Sequence, residues 1–238
     1  MIRPLLTGGD ARATIITLLL GLPIIMLSLS LHELSHGFVA YKLGDGTAKA
    51  FGRLTLNPIK HLDPLGTVFM VFFGYGWAKP VPVNSRNLKK PKRDIALVSL
   101  AGPVSNILLA FVFAGIYVLM WSLFPEEVYF GLALKKASVT GIITLMSRLG
   151  IIYNVGLAIF NLIPLPPLDG SNILVSILPQ KSAVKYLEVR KYTRYIFLGL
   201  VALSWAAPTL YSKLFVPFYW LCDNLIWLLC KPFELLLL

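Results

Sequence analysis

Several apolar runs in this chain are long enough to cross a bilayer, and that restricts its possible folds more than any other feature. Ala13 to Leu31 is almost wholly apolar or small, and comparable runs occupy about 95–124 and 139–161. A helix of about 20 apolar residues matches the hydrocarbon thickness of a membrane. Backbone groups in that solvent must be paired within the segment, so such runs are expected as helices. Charged residues make up 14% of the chain, against about a quarter in soluble domains. The expectation is an all-α polytopic membrane protein with about five to six transmembrane helices. The spans and their connections use up the 238 residues, so 1–238 reads as a single integral membrane domain.

The first run continues helically to about Leu43, where Gly44-Asp45-Gly46 stops it, and Pro23 is expected to kink it. It carries a histidine pair near its end and no convincing cleavage site, so it is expected to be retained rather than removed as a signal peptide. Residues 47–85 differ in character. Phe51 to Pro58 alternates and then turns, and Leu65 to Phe73 is too short to span comfortably. Trp77-Ala78-Lys79-Pro80-Val81-Pro82-Val83-Asn84 has prolines that forbid a helix. This section is expected to be re-entrant or interfacial, with a small membrane re-entrant β-element, because non-helical backbone near membrane depth needs protein or a wet cavity beside it. Beyond 178, residues 181–238 form a basic loop and two further apolar segments, about 195–212 and 214–230.

The net charge of +11 sits mainly in the short loops Arg86 to Arg93 and Lys181 to Arg194. That placement marks cytoplasmic loops facing anionic lipid, with the lipid bilayer as partner, rather than nucleic-acid binding. Cys222 and Cys230 share one late segment, where helical rise puts them about 12 Å apart, too far for a disulfide. They read as apolar filler.

His32-Glu33-Leu34-Ser35-His36 places two imidazoles one helical turn apart, with a carboxylate beside them. That pattern suits one metal ion and a neighbouring proton acceptor. Ionisable groups inside an apolar helix are costly and usually mark function. A third ligand must lie at similar depth. Asp10, Asp45 and Asp63 lie before the span or in turns, and Glu126 and Glu127 belong to the far side. Asp169 stands apart, because Pro164, Pro166 and Pro167 break the third span just before it and Gly170 lets backbone come close. His61 reads as a turn or interface residue. Gly102 and Asn106, one turn apart, put small and polar atoms on one face, either for helix packing or for contact with a site.

His32 to His36, Gly102 to Asn106 and Asn161 to Gly170, in this order and spacing, resemble the site-2 protease family of intramembrane zinc metalloproteases, over most of residues 15–178. The resemblance implies a three-helix catalytic core within 13–178. One Zn²⁺ per chain would be held by His32, His36 and Asp169, with Glu33 activating water. Asn161 matches the family's asparagine that engages substrate backbone or the developing oxyanion, and Asn106 matches its Gly-x-x-x-Asn motif, placed here with the substrate contacts. Trp77 to Asn84 resembles the family's re-entrant β-loop, so Trp77, Pro80, Val81, Pro82 and Val83 are candidate substrate-binding residues that pair with an unwound strand. Neither a PDZ nor a CBS domain is recognisable.

The implied activity is hydrolysis of a peptide bond in or near a transmembrane segment of another membrane protein, in regulated intramembrane proteolysis. The site is expected toward the cytoplasmic side of a multi-pass protein in the cell membrane of a prokaryote. Two alternatives use the same residues: a divalent-metal transporter, and a catalytically silent module that binds membrane proteins. The first needs a continuing polar route, which the later segments lack. The intact Glu33 argues against the second.

Overall fold

The computed structural model describes residues 10–73, 76–132 and 138–237. Among these, helix α1 runs Ala11–Lys42 and a short α2 Thr47–Ala50. A 3₁₀ turn at Pro58–Lys60 leads into α3, Pro64–Phe73. After an extended stretch come α4 (Pro91–Leu123), α5 (Pro125–Leu132), α6 (Val139–Leu162), α7 (Asp169–Ile177), α8 (Gln180–Leu187), α9 (Arg190–Ala206), α10 (Pro208–Leu214) and α11 (Val216–Leu237). The all-α membrane architecture is what the apolar runs demand.

Local chemistry explains the boundaries. Asp10 caps α1 by accepting from the Arg12 and Ala13 amides. Gly44, at φ 111°, turns the chain out of the helix. Pro91 supplies the first residue of α4, where its missing N–H is not needed. Asp63 accepts from the Gly66 amide at the start of α3.

Three helices, α1, α4 and α6, are long and apolar enough to cross a membrane; α10 and α11, bent 56° at their junction, make a fourth if taken as one broken span. The apolar part of α9, Tyr195–Ala206, is shorter. The described residues give three or four spans by length and composition, beside an expectation of about five to six, and Pro208 separates α9 from α10 in the late apolar sequence. The expected β-element amounts here to one isolated antiparallel bridge, Leu62 to Ala78. Gly74 and Tyr75 lie outside the described residues.

Helix α4 is central, packing against α1, α6, α7 and α11. Its Ala110, Ala114 and Val118 meet Ile151 and Val155 of α6 and Leu229 and Cys230 of α11. Small residues at such contacts let backbones approach closely where lipid gives no hydrophobic drive between helices. Both cysteines are free, and Cys230 is part of this core.

Candidate metal centre and its loop

Three elements build the centre. His32 and His36 project from α1 toward α4, and the proline-broken turn after α6 delivers Asp169 at the start of α7. Their ligand atoms converge: the two Nε2 atoms are 3.0 Å apart, and Asp169 Oδ2 lies 3.2 and 3.3 Å from them. Among the described residues this is the one group of three such side chains able to hold a metal ion.

The partners of the outer ring nitrogens place a proton on each Nδ1. His36 Nδ1 lies 2.7 Å from the Val98 carbonyl, which can only accept, so Nδ1 carries the proton. His32 Nδ1 lies 2.6 Å from Asn106 Oδ1. The Asn106 amide nitrogen is committed elsewhere, to Asn154 Oδ1 at 2.8 Å and the Ser28 carbonyl at 3.3 Å, so its oxygen must face His32. With Nδ1 protonated, each neutral ring turns its Nε2 lone pair toward the other ring and toward the buried Asp169 Oδ2, which has no partner outside the pair. Three such acceptors in contact suit a cation held among them. Their spacing matches the edge of a tetrahedron with bonds of about 2.0–2.1 Å, roughly 3.3 Å, and two imidazoles with one carboxylate is a donor set of catalytic zinc sites.

Gly102 permits this approach. A Cβ built there would lie 2.5 Å from His32 Cε1 and from His36 Nε2. Gly170 plays the same part for Asp169, since a Cβ would run into the Leu162 carbonyl.

Behind His32 is a polar network inside the helix bundle. Asn106 and Asn154 are fully buried. Asn154 Nδ2 donates to Ser28 Oγ at 2.9 Å and to the Gly150 carbonyl at 2.8 Å. Asn154 was not singled out from sequence. The available signal was its position: a polar residue in an apolar helix, two turns before Asn161 and on the same face. Asn154→Leu is expected to free the Asn106 amide and lower metal affinity by about 10–100-fold while the helix content is kept, as for other outer partners of metal-bound histidines. Chelator competition with circular dichroism checks this.

The structure brings Asn106 to His32 inside the bundle, not to an open surface. Asn161 is half-buried at the end of α6, where its Nδ2 donates to the Leu157 carbonyl at 3.0 Å. His61 is fully buried and its Nε2 donates to the Thr55 carbonyl at 2.7 Å, outside the metal group.

Glu33 meets the extended stretch directly: its Oε2 accepts from the Val81 amide at 2.8 Å. That stretch is tied along its length. The Lys79 amide donates to the His61 carbonyl at 2.8 Å, and Arg53 Nη2 donates to the Lys79 carbonyl at 2.6 Å. Val81 packs inward against Gly37, where a Cβ would lie 3.1 Å from Val81 Cγ1. Trp77, Pro80 and Val83 are exposed, and Pro82 is half-buried.

Asp45 fixes the far end of the stretch. Its carboxylate accepts from the Thr47 hydroxyl, the Asn87 amide group at 2.9 Å and the Asn84 backbone amide at 2.6 Å. Burial pushes its pKa up, but these hydrogen bonds to the ionised form outweigh burial, and the net shift is downward. A lowered folded pKa means the anchor's stabilisation is fully present above the ordinary carboxylate range and is lost as pH falls through the lower folded value. Hydrogen exchange at the Asn84 amide, relative to its intrinsic rate, is thus expected to be slow at neutral pH and to accelerate as pH falls below the ordinary carboxylate range. Asp45→Asn should show the fast pattern already at neutral pH.

With this geometry in place, comparison with known proteins gives a consistent result. The model of "Peptidase family M50" matches residues 20–204. A Bacillus subtilis (strain 168) protein named "Putative zinc metalloprotease YwhC" is 46% identical over 176 residues, covering 74% of this chain and 77% of the relative. A Mycolicibacterium smegmatis protein named "Putative zinc metalloprotease Rip2" is 28% identical over 204 residues, covering 83% and 71%. No solved structure matches the chain significantly. With a family match across most of the chain and this degree of identity, the protein belongs to peptidase family M50, the site-2 protease family, and is a membrane protease.

Proposed function

We propose that this chain is an intramembrane zinc endopeptidase that cuts a transmembrane segment of another membrane protein. The observation that carries the proposal is the convergence of His32 Nε2, His36 Nε2 and Asp169 Oδ2, 3.0–3.3 Å apart, inside helices of membrane-spanning length. His32, His36 and Asp169 would hold one zinc ion, which when bound acidifies water toward neutral pKa and polarises a carbonyl. The names of the relatives above support zinc as the metal.

The chain's own residues do the rest. Glu33, next to His32 on α1, takes the proton of the attacking water and hands it to the leaving amine. Asn161 keeps a second amide proton beyond its bond to Leu157, and donates it to the developing oxyanion. Asn106 and Asn154 hold the His32 ring in the tautomer whose lone pair faces the centre. The stretch Trp77, Pro80, Val81, Pro82 and Val83, extended beside Glu33, receives the substrate as an unwound strand, since a helical substrate hides its peptide bonds.

The cytoplasmic orientation is supported by the basic residues at the site's end of the bundle, Lys42 and Lys49 after His36, and Arg86 to Arg93 before Val98. The test is to compare membrane proteomes of cells carrying active protein with cells carrying Glu33→Gln. Shortened membrane proteins seen only with the active chain support the proposal; identical proteomes contradict it.

A further inference from the structure

We propose that α8 is a docking surface for anionic phospholipid headgroups, and that Tyr186 transmits that docking to the loop holding Asp169. The inference concerns regulation of the same metal centre and rests on the assignment of Asp169 to it.

Helix α8 has two working faces. Lys181 and Lys185, one turn apart, are exposed together, and Arg190 and Lys191 follow in the same exposed stretch; Glu188 is the one carboxylate among them. Exposed Val184 and Leu187, at 58% and 41%, flank the lysines. Cations beside exposed aliphatic side chains suit the boundary between headgroups and acyl chains. The occupant follows from charge complementarity: residues 181–194 carry five basic groups against one acidic.

The opposite face carries Tyr186, whose hydroxyl donates to the Pro164 carbonyl at 2.7 Å. Pro164 opens the turn that ends at Asp169. With prolines at 164, 166 and 167, this turn has few N–H groups to hold itself; its internal bonds are Leu165 to the Ile163 carbonyl and Leu168 to the Leu165 carbonyl. A tie from outside therefore has leverage over it, and the tie sits on the helix that meets the lipid. Headgroups that hold α8 at the membrane surface hold Pro164, and with it the carboxylate that completes the centre.

The test uses the full chain in nanodiscs of phosphatidylcholine, with and without phosphatidylglycerol. The readouts are hydrogen exchange at Leu165 and Leu168 and zinc affinity by chelator competition. Phosphatidylglycerol is expected to slow exchange in α8 and at Leu165 and Leu168, and to tighten zinc, by about fivefold, the scale of one basic group near an anionic surface. The double variant Lys181→Gln/Lys185→Gln should match the parent in phosphatidylcholine and lose the gain. Tyr186→Phe should keep the slowed exchange in α8 but not pass it to Leu165 and Leu168.

Equal behaviour in the two lipids would overturn the proposal, and so would full transmission in Tyr186→Phe. Inorganic phosphate reproducing the gain in phosphatidylcholine would also overturn it, in favour of a soluble anion. Neither readout requires cleavage, and Glu33→Gln should show the same lipid response. Absence of proteolysis in every lipid would thus count against the protease assignment and not against this one.

Discussion

Glu33→Gln is expected to abolish cleavage while the chain keeps its bound metal ion. Glutamine has the size of glutamate, and its amide oxygen can still accept from the Val81 amide, so the loop contact at 2.8 Å survives. The three atoms proposed to hold the metal belong to other residues and do not change. What disappears is the capacity to take a proton from water and return it to the amine. Positioned acid–base groups contribute about 10²–10⁴-fold, and a group acting at both stages should lie at the upper end. Turnover of a reconstituted substrate, with metal content measured on the same sample, checks this. Lost metal would show Glu33 to be structural, and retained turnover would remove it from the chemistry.

Gly102→Ala should be nearly as damaging, for a different reason. The added methyl would come within 2.5–2.6 Å of both imidazoles, and the histidine pair could keep its place only if α1 and α4 moved apart. These helices are joined at that level by the His36–Val98 and His32–Asn106 hydrogen bonds, at 2.7 and 2.6 Å. Separation breaks both, and with them the tautomers that aim the Nε2 lone pairs. Metal affinity is expected to fall by at least the ~10–100-fold seen when outer partners of metal ligands are lost, with cleavage falling in parallel. Alanine is a better helix former than glycine, so secondary structure should persist. Normal zinc affinity in this variant would mean the two helices are not held at the spacing described.

The sequence makes these two residues unequally visible. Glu33 stands out because a carboxylate between two histidines in an apolar helix has no bland explanation. Gly102 is visible as a small residue one turn from Asn106, a pattern that fits helix packing as well as the family's Gly-x-x-x-Asn motif; the nearby imidazoles supply the meaning. Asp169 is legible because prolines announce a break and few carboxylates compete. Three of the other acidic candidates have local tasks that explain them: Asp10 and Asp63 as helix caps, Asp45 as the loop anchor.

Pairings between distant segments were not legible. Nothing in Val81 indicates that its amide meets Glu33, 48 residues earlier, or in Tyr186 that its hydroxyl meets Pro164. These are tertiary choices, fixed by how α1 and the turn after α6 present unpaired acceptors. The division of the late apolar sequence was not legible for a simpler reason: hydropathy registers that sequence as a whole, while Pro208 and the 56° bend between α10 and α11 decide how it is divided.

Mass spectrometry of cleavage products from proteoliposomes tests the central claim most directly. Purified chain and a library of single-span substrates would be co-reconstituted with zinc, with Glu33→Gln as control. The predicted result is a set of fragments whose new ends fall within the apolar segment, absent with chelator and absent with Glu33→Gln. New ends confined to the aqueous flanks, or none with the zinc-loaded chain, would contradict it.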